Sequence, residues 1–217
     1  METVLPHRYI AIEGPIGVGK TSLARRLADS FAGELLLERA SENPFLERFY
    51  TRPRDAALPA QLFFLFQRVR QMEEIQQADM FRPLRIADFL FEKDELFARV
   101  NLDRHEYALY RQVHDRLAVA PPRPDLVIYL QAPVEALLDR IARRGIDYER
   151  QIGRDYLTRL NEAYMEFFHG YDAAPLLIVN AAGINLAEGD EAYGLLLDQM
   201  RQVRSGRHYF NPMPEIL

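Results

Sequence analysis

Cysteine is absent from all 217 residues, which excludes disulfides, thiolate-bound metals and cysteine nucleophiles. Tryptophan is missing too, and lysine nearly so: of 27 basic residues, all but Lys20 and Lys93 are arginine. A GC-rich coding bias accounts for the bulk of the arginines, and it makes each surviving lysine informative. An excess of positive charge is also lacking. The net charge of −5 argues against a general binder of nucleic acid or anionic membrane. Long apolar runs do not occur either. The most apolar stretch, Leu58 to Phe66, is interrupted by Gln61 and falls short of the roughly 20 residues a bilayer span needs. Met1 to Arg8 does not read as a targeting signal, so a cytoplasmic chain is the expectation.

What is present is ordinary globular composition, 48% hydrophobic and 27% charged, in a chain long enough to fold around one core. No repeat or low-complexity linker divides it, so residues 1–217 read as a single domain. Short apolar runs alternate with longer helical patterns. Strands are expected at Tyr9–Ile12, Leu35–Leu37, Arg85–Ala87, Leu126–Leu130 and Leu176–Val179. Helices are expected at Lys20–Ala32, Asp55–Gln77, Glu92–Val119, Val134–Arg143, Arg154–Phe168 and Glu188–Val203. Pro121, Pro122 and Pro124 stop the third of these. The alternation predicts an α/β fold: a five-stranded parallel sheet with helices on both faces. Ligands in such sheets bind beyond the carboxyl ends of the strands. The tail, residues 205–217, reads as extended, packing back or crossing to a partner.

After the first strand comes Gly14-Pro15-Ile16-Gly17-Val18-Gly19-Lys20-Thr21-Ser22, which fits G-x-x-x-x-G-K-[ST] with a strand before it and a helix after. Glycines let successive backbone N–H groups turn inward on phosphate oxygens, and the helix adds its positive N-terminal end. Lys20 reaches the β/γ-phosphates and the Thr21 hydroxyl suits Mg²⁺. The motif implies a P-loop fold that takes a nucleoside triphosphate, ATP, with Mg²⁺. A GTPase would carry N-K-x-D, which is absent. The third strand ends at Asp88 and the second at Glu38. Two strand-end carboxylates beside a phosphate loop suit one base and one metal partner, so Thr21, Asp88 and Glu38 are the candidate metal-side residues.

The phosphate loop, Glu38-x₄-Asn43-Pro44, Phe49-Tyr50, Gln67, Asp88 with Asp94 six residues on, and Arg144-x₄-Glu149-x₂-Ile152-x₃-Tyr156 together resemble the deoxynucleoside kinases, from Tyr9 to about Val203. The resemblance implies phosphorylation of a deoxynucleoside 5′-hydroxyl in nucleotide salvage. Position by position, it implies that Glu38 is the general base and that Tyr50 and Glu149 hold the sugar 3′-OH. Gln67 would bond the base edge, Asp94 would face the same base, and Asp88 would stand near the metal. Arg140 and Arg144 would belong to a lid over about residues 140–154. It also implies a homodimer formed by packing helices, with the patterns over 55–77 and 92–119 as candidates.

The residue types agree independently. A neutral nucleoside needs aromatic, amide and carboxylate groups, which Tyr50, Gln67, Asp94 and Glu149 supply, whereas a nucleotide acceptor needs Arg or Lys for its phosphate. Asp94 accepts from an exocyclic amino group and Gln67 both donates and accepts. This favours deoxyadenosine or deoxycytidine, then deoxyguanosine. The alternatives are a thymidylate-type nucleoside-monophosphate kinase and a non-catalytic ATP-binding regulator. Two departures stand out. The family commonly has Arg after the third-strand acid, where this chain runs Asp88-Phe89-Leu90-Phe91; Arg85, Lys93 or a lid arginine are the substitutes on offer. The second lid arginine meets Ile146, with Arg143 beside it.

Overall fold

In the computed structural model the described residues are 5–77, 84–117, 121–183 and 189–212. Chain order is β1 (Tyr9–Glu13), α1 (Lys20–Phe31), β2 (Glu34–Leu36), α2 (Leu46–Thr51), α3 (Pro53–Gln77), β3 (Arg85–Ala87), α4 (Lys93–Asn101) and α5 (Arg104–Leu117). There follow β4 (Leu126–Gln131), α6 (Val134–Arg144), α7 (Arg154–Gly170), β5 (Leu176–Asn180), α8 (Asp190–Gln202) and β6 (Arg207–Phe210). All strands are parallel, in the order β2-β3-β1-β4-β5-β6.

The central strand is the one that feeds the phosphate loop. β1 is buried along its whole length, because it pairs with β3 on one side and β4 on the other. Side chains alternate across the sheet as strand geometry requires. Ile10, Ile12, Ile128 and Leu130 join Leu23, Leu27, Leu137, Ile141, Leu196 and Met200 of α1, α6 and α8 in one core layer. Ala11, Val127, Tyr129 and Ile178 point the other way, onto Leu160, Tyr164 and Phe168 of α7. Beside them Leu65, Val69 and Met72 of α3 pack with Tyr110 of α5. Each such buried aliphatic contributes on the order of 1.5–3 kcal/mol, so the two layers fix the sheet and with it the strand ends.

Two expectations need correction. The sheet has six strands rather than five, since the tail supplies β6 as an edge paired to β5, Leu176 opposite Arg207 and Val179 opposite Phe210. Its exposure alternates and it carries no apolar run, so the hydrophobic pattern conceals it. Arg207 fastens it further, donating to the carbonyls of Phe168 and His169 at the end of α7. Residues 213–217 of the expected tail lie outside the described set.

The second correction concerns Glu92–Val119, which is two helices. Asp103 accepts from the backbone N–H of His105 and Glu106, and Glu106 accepts from the N–H of Asp103. That reciprocal cap starts α5 afresh. Val119 and Glu188, at the edges of expected helices, are outside the described residues.

Candidate functional site

Residues 14–19 bridge the end of β1 and the start of α1. Gly14 has φ +149°, and a Cβ there would stand 2.5 Å from the Leu130 carbonyl oxygen of β4. Gly17 has φ +83° and sits 2.9 Å, by the same measure, from Ile141 of α6. Only glycine permits both the turn and this close approach. Lys20 Nζ donates to the carbonyls of Gly14 at 2.7 Å and Pro15 at 3.2 Å, so it is folded across its own loop. Burial, then repulsion from Lys93, lowers the Lys20 pKa to about 8.

Behind the loop, Thr21 Oγ1 donates to Asp88 Oδ2 at 2.5 Å, and Asp88 Oδ1 accepts the backbone N–H of Glu38 at 2.7 Å. Asp88 thereby ties the ends of β2 and β3 to the head of α1. Burial raises its pKa, opposed by these two hydrogen bonds. Glu13, fully buried at the end of β1, accepts from the N–H groups of Gly14 and Leu90 and from the Tyr164 hydroxyl.

Glu38 faces a cavity of about 150 Å³ lined by the phosphate loop, Phe49, Tyr50, Phe64, Phe97 and Tyr156, among others. One carboxylate oxygen pairs with Arg68, and the other accepts from Lys93 Nζ at 2.8 Å. Burial alone would raise the Glu38 pKa, but Lys93 and Arg68 overcome it and hold the carboxyl at about 2. Arg68 also pairs with Asp94, which is wholly buried.

Gln67, expected on the base edge, lies elsewhere: its amide donates to the Arg39 carbonyl and to Glu42. Gln61 occupies the cavity wall instead, its amide nitrogen bonded to the Asp94 carbonyl at 3.1 Å. The reason is rotational. At about 100° per residue, Gln61, Phe64 and Arg68 share one face of α3, while Gln67 is turned about 240° from Gln61. Asp94 does not reach the cavity wall. It lies behind Arg68 and Gln61 and orients both. The i, i+3, i+7 spacing of Gln61, Phe64 and Arg68 was the available signal for this face.

Tyr50 and Glu149 do come together. Tyr50 stacks on Tyr148 with centroids 6.0 Å apart and planes 5° from parallel, and burial pushes its hydroxyl pKa well up. Glu149 is buried and pairs with Arg144. Both Tyr148 and Glu149 belong to the short 3₁₀ turn Asp147–Gln151 that packs on α2.

A second cavity, of about 600 Å³, opens on the other side of the phosphate loop between α6 and residues 181–183. Arg140, Arg143 and Arg144 line it, and Arg144 lines the first cavity too. Arg140 donates to the carbonyls of Val18, Ala181 and Ala182, which pins the loop to the end of β5. Of the proposed stand-ins for the missing arginine, Arg85 is engaged by Glu34 and the Ile75 carbonyl, whereas Lys93 stands in the cavity. Position 89 points into the core, its phenylalanine wholly buried.

Among known proteins, residues 10–204 match the family profile described as deoxynucleoside kinase. A deoxyguanosine kinase of Bacillus subtilis is 36% identical over 72% of this chain and 76% of its own. A deoxyadenosine/deoxycytidine kinase of the same organism is 28% identical over 89% and 92%. A structure of deoxyadenosine kinase from M. mycoides with bound dATP superimposes with TM-score 0.75 at 26% identity, over 89% of this chain and 99% of that one.

Proposed function

Since the chain belongs to the deoxynucleoside kinase family, a family of transferases, we propose that it moves the γ-phosphoryl group of ATP to the 5′-hydroxyl of a deoxynucleoside. One observation carries the choice of a neutral acceptor. Among the described residues, each cation facing the first cavity, apart from the phosphate loop's own Lys20, is already paired with a carboxylate. Lys93 holds Glu38, Arg68 holds Glu38 and Asp94, and Arg144 holds Glu149. A pocket so neutralised suits a sugar and a base, not an acceptor phosphate.

In this reading ATP lies in the second cavity with its phosphates on the loop. The aromatic walls take the base, and Tyr50 and Glu149 take the 3′-OH. Glu38 accepts the 5′-OH proton as the new O–P bond forms and the bond to the β-phosphate oxygen breaks, releasing ADP. Lys20 and Arg144 balance the charge on the moving group. Thr21 and Asp88 present a hydroxyl and a carboxylate oxygen side by side at the loop, hard donors that fit Mg²⁺. The described residues hold no cluster of three acidic or imidazole ligands, so the ion's other ligands would be phosphate oxygens and water. When bound, it would offset negative charge on the phosphates.

The amide nitrogen of Gln61 is committed to Asp94, which leaves its Oε1 as the acceptor offered to a base, with the Arg68 guanidinium beside it. Adenine and cytosine carry an exocyclic amino group beside a ring acceptor and match this acceptor and cation together, whereas guanine's amino group adjoins a ring N–H and thymine has none. Deoxyadenosine and deoxycytidine therefore come first, deoxyguanosine next and thymidine last. We further propose a homodimer through α3 and α5, which pack together and leave Phe66 and Leu109 exposed. A cytoplasmic location fits the absence, among the described residues, of a helix long and apolar enough to cross a membrane.

Monophosphate formation from the four deoxynucleosides with ATP, followed by chromatography, tests this. Turnover should follow the order above, and thymidine as the best substrate would overturn the base assignment. The state of Lys20 supplies a second check. Its pKa near 8 in the free protein must rise when a triphosphate binds, so the KM for ATP should be flat below about pH 8 and climb above it, approaching tenfold per unit. A KM unchanged to pH 9.5 would remove Lys20 from donor binding.

A further inference from the structure

α4 begins in a tight turn after β3, closed by the Lys93 N–H donating to the Leu90 carbonyl at 3.2 Å. This turn places Lys93 as the first helical residue and sends its side chain into the wall of the first cavity, where it is only 4% exposed. An ammonium has three N–H donors. One reaches Glu38 at 2.8 Å, and Glu13 lies farther off at 3.9 Å, its oxygens already taken by Gly14, Leu90 and Tyr164. Donors are thus left over on a buried cation.

Lys20 lines the same cavity, its Nζ held on the phosphate loop by the Gly14 and Pro15 carbonyls. Glu38 is the carboxylate facing both, and a phosphoryl group entering the cavity adds oxygens that each ammonium can engage. The loop side of the cavity belongs to Lys20, and the acceptor side, where Glu38 sits, belongs to Lys93.

We propose that Lys93 is a catalytic residue that leaves Glu38 for an oxygen of the phosphoryl group in transit, clamping it opposite Lys20. The inference rests on the kinase reading above and adds a contact on the acceptor side. As Lys93 shifts to the phosphoryl oxygen, the Glu38 oxygen it held is freed to accept the hydrogen bond of the 5′-OH. Lysine suits the task because its charge is a compact point on a flexible stem.

The test compares wild type with Lys93→Met, Lys93→Gln and Lys93→Arg, using steady-state kinetics and the binding of ADP with aluminium fluoride in the presence of deoxyadenosine. A single donor aimed at developing charge is worth about 10²–10³ in rate, so Lys93→Met should lose about that much kcat. Its KM for deoxyadenosine should stay within about threefold, and aluminium fluoride should no longer tighten ADP binding. Lys93→Arg should recover about a tenth of the wild-type rate or more. A Met variant with kcat within about threefold of wild type overturns the proposal. So does a variant that loses kcat but still shows the aluminium fluoride tightening, since Lys93 would then only position Glu38. If the Met variant does not fold, Lys93→Gln, which still bonds Glu38 but carries no charge, decides between the same outcomes. A wild-type protein that phosphorylates no deoxynucleoside overturns the kinase reading itself, a result separate from any effect of the variants.

Discussion

Glu38→Gln is expected to lower kcat by about 10²–10⁴ while leaving ATP affinity within about threefold. The substitution keeps the size of the side chain, but its NH₂ group can no longer accept from one of the two cations, Arg68 or Lys93. It removes the negative charge that Lys93 and Arg68 both engage at the wall of the first cavity. A pKa of about 2 makes the resting carboxylate a weak base, yet phosphoryl transfer tolerates this. Its transition state is loose, the attacking hydroxyl keeps its proton until late, and orientation supplies most of the gain. In the proposed arrangement ATP sits in the second cavity, on the far side of the phosphate loop, and its affinity is largely untouched. Isothermal titration with a non-hydrolysable ATP analogue, alongside turnover, separates the two effects. Wild-type turnover in the variant would remove Glu38 from the chemistry. The depressed pKa has a further consequence for stability. The contribution of ionised Glu38 is complete above its ordinary value of 4.5 and is lost as pH falls toward about 2.

Arg68→Leu carries the largest expected effect on stability. Arg68 is 3% exposed and is the shared partner of Glu38 and of Asp94, which is not exposed at all. Removing one partner of a buried pair leaves an uncompensated charge and costs about 3–5 kcal/mol. For a chain of this length that lowers Tm by roughly 6–20 °C. The double variant Arg68→Leu/Asp94→Leu discriminates further. Replacing both members with apolar groups spares the desolvated charge, so it should regain a large part of the lost Tm without regaining activity. A single variant that melts within about 2 °C of wild type would mean the pair is worth no more than a surface ion pair. Thermal unfolding by circular dichroism measures all three proteins.

How legible these features are in the sequence depends on how local their causes are. The phosphate loop is contiguous, and its glycine spacing, lysine and hydroxyl carry the chemistry without reference to distant residues. Glu38 and Asp88 are nearly as direct, since standing just past the carboxyl end of a strand in a parallel sheet is enough to place them at the site. Gln61 against Gln67 turns on the rotation of one helix. Both are amides in the same apolar pattern, and only the shared face with Phe64 and Arg68 tells them apart. Arg68 is harder still, because its burial is stabilised by carboxylates 30 and 26 residues away. Lys93 depends on the turn that begins α4, and the break at Asp103 is signalled only by a four-residue cap inside a periodic stretch. β6 has no apolar signature and exists because β5 presents an unpaired edge.

Whether the acceptor is a neutral deoxynucleoside is decided by incubating the protein with γ-labelled ATP and either deoxyadenosine or deoxyadenosine monophosphate. Label is expected in the monophosphate when the nucleoside is offered, and none in a diphosphate when the monophosphate is offered. Label appearing only in the diphosphate, or in neither product, would contradict a neutral acceptor.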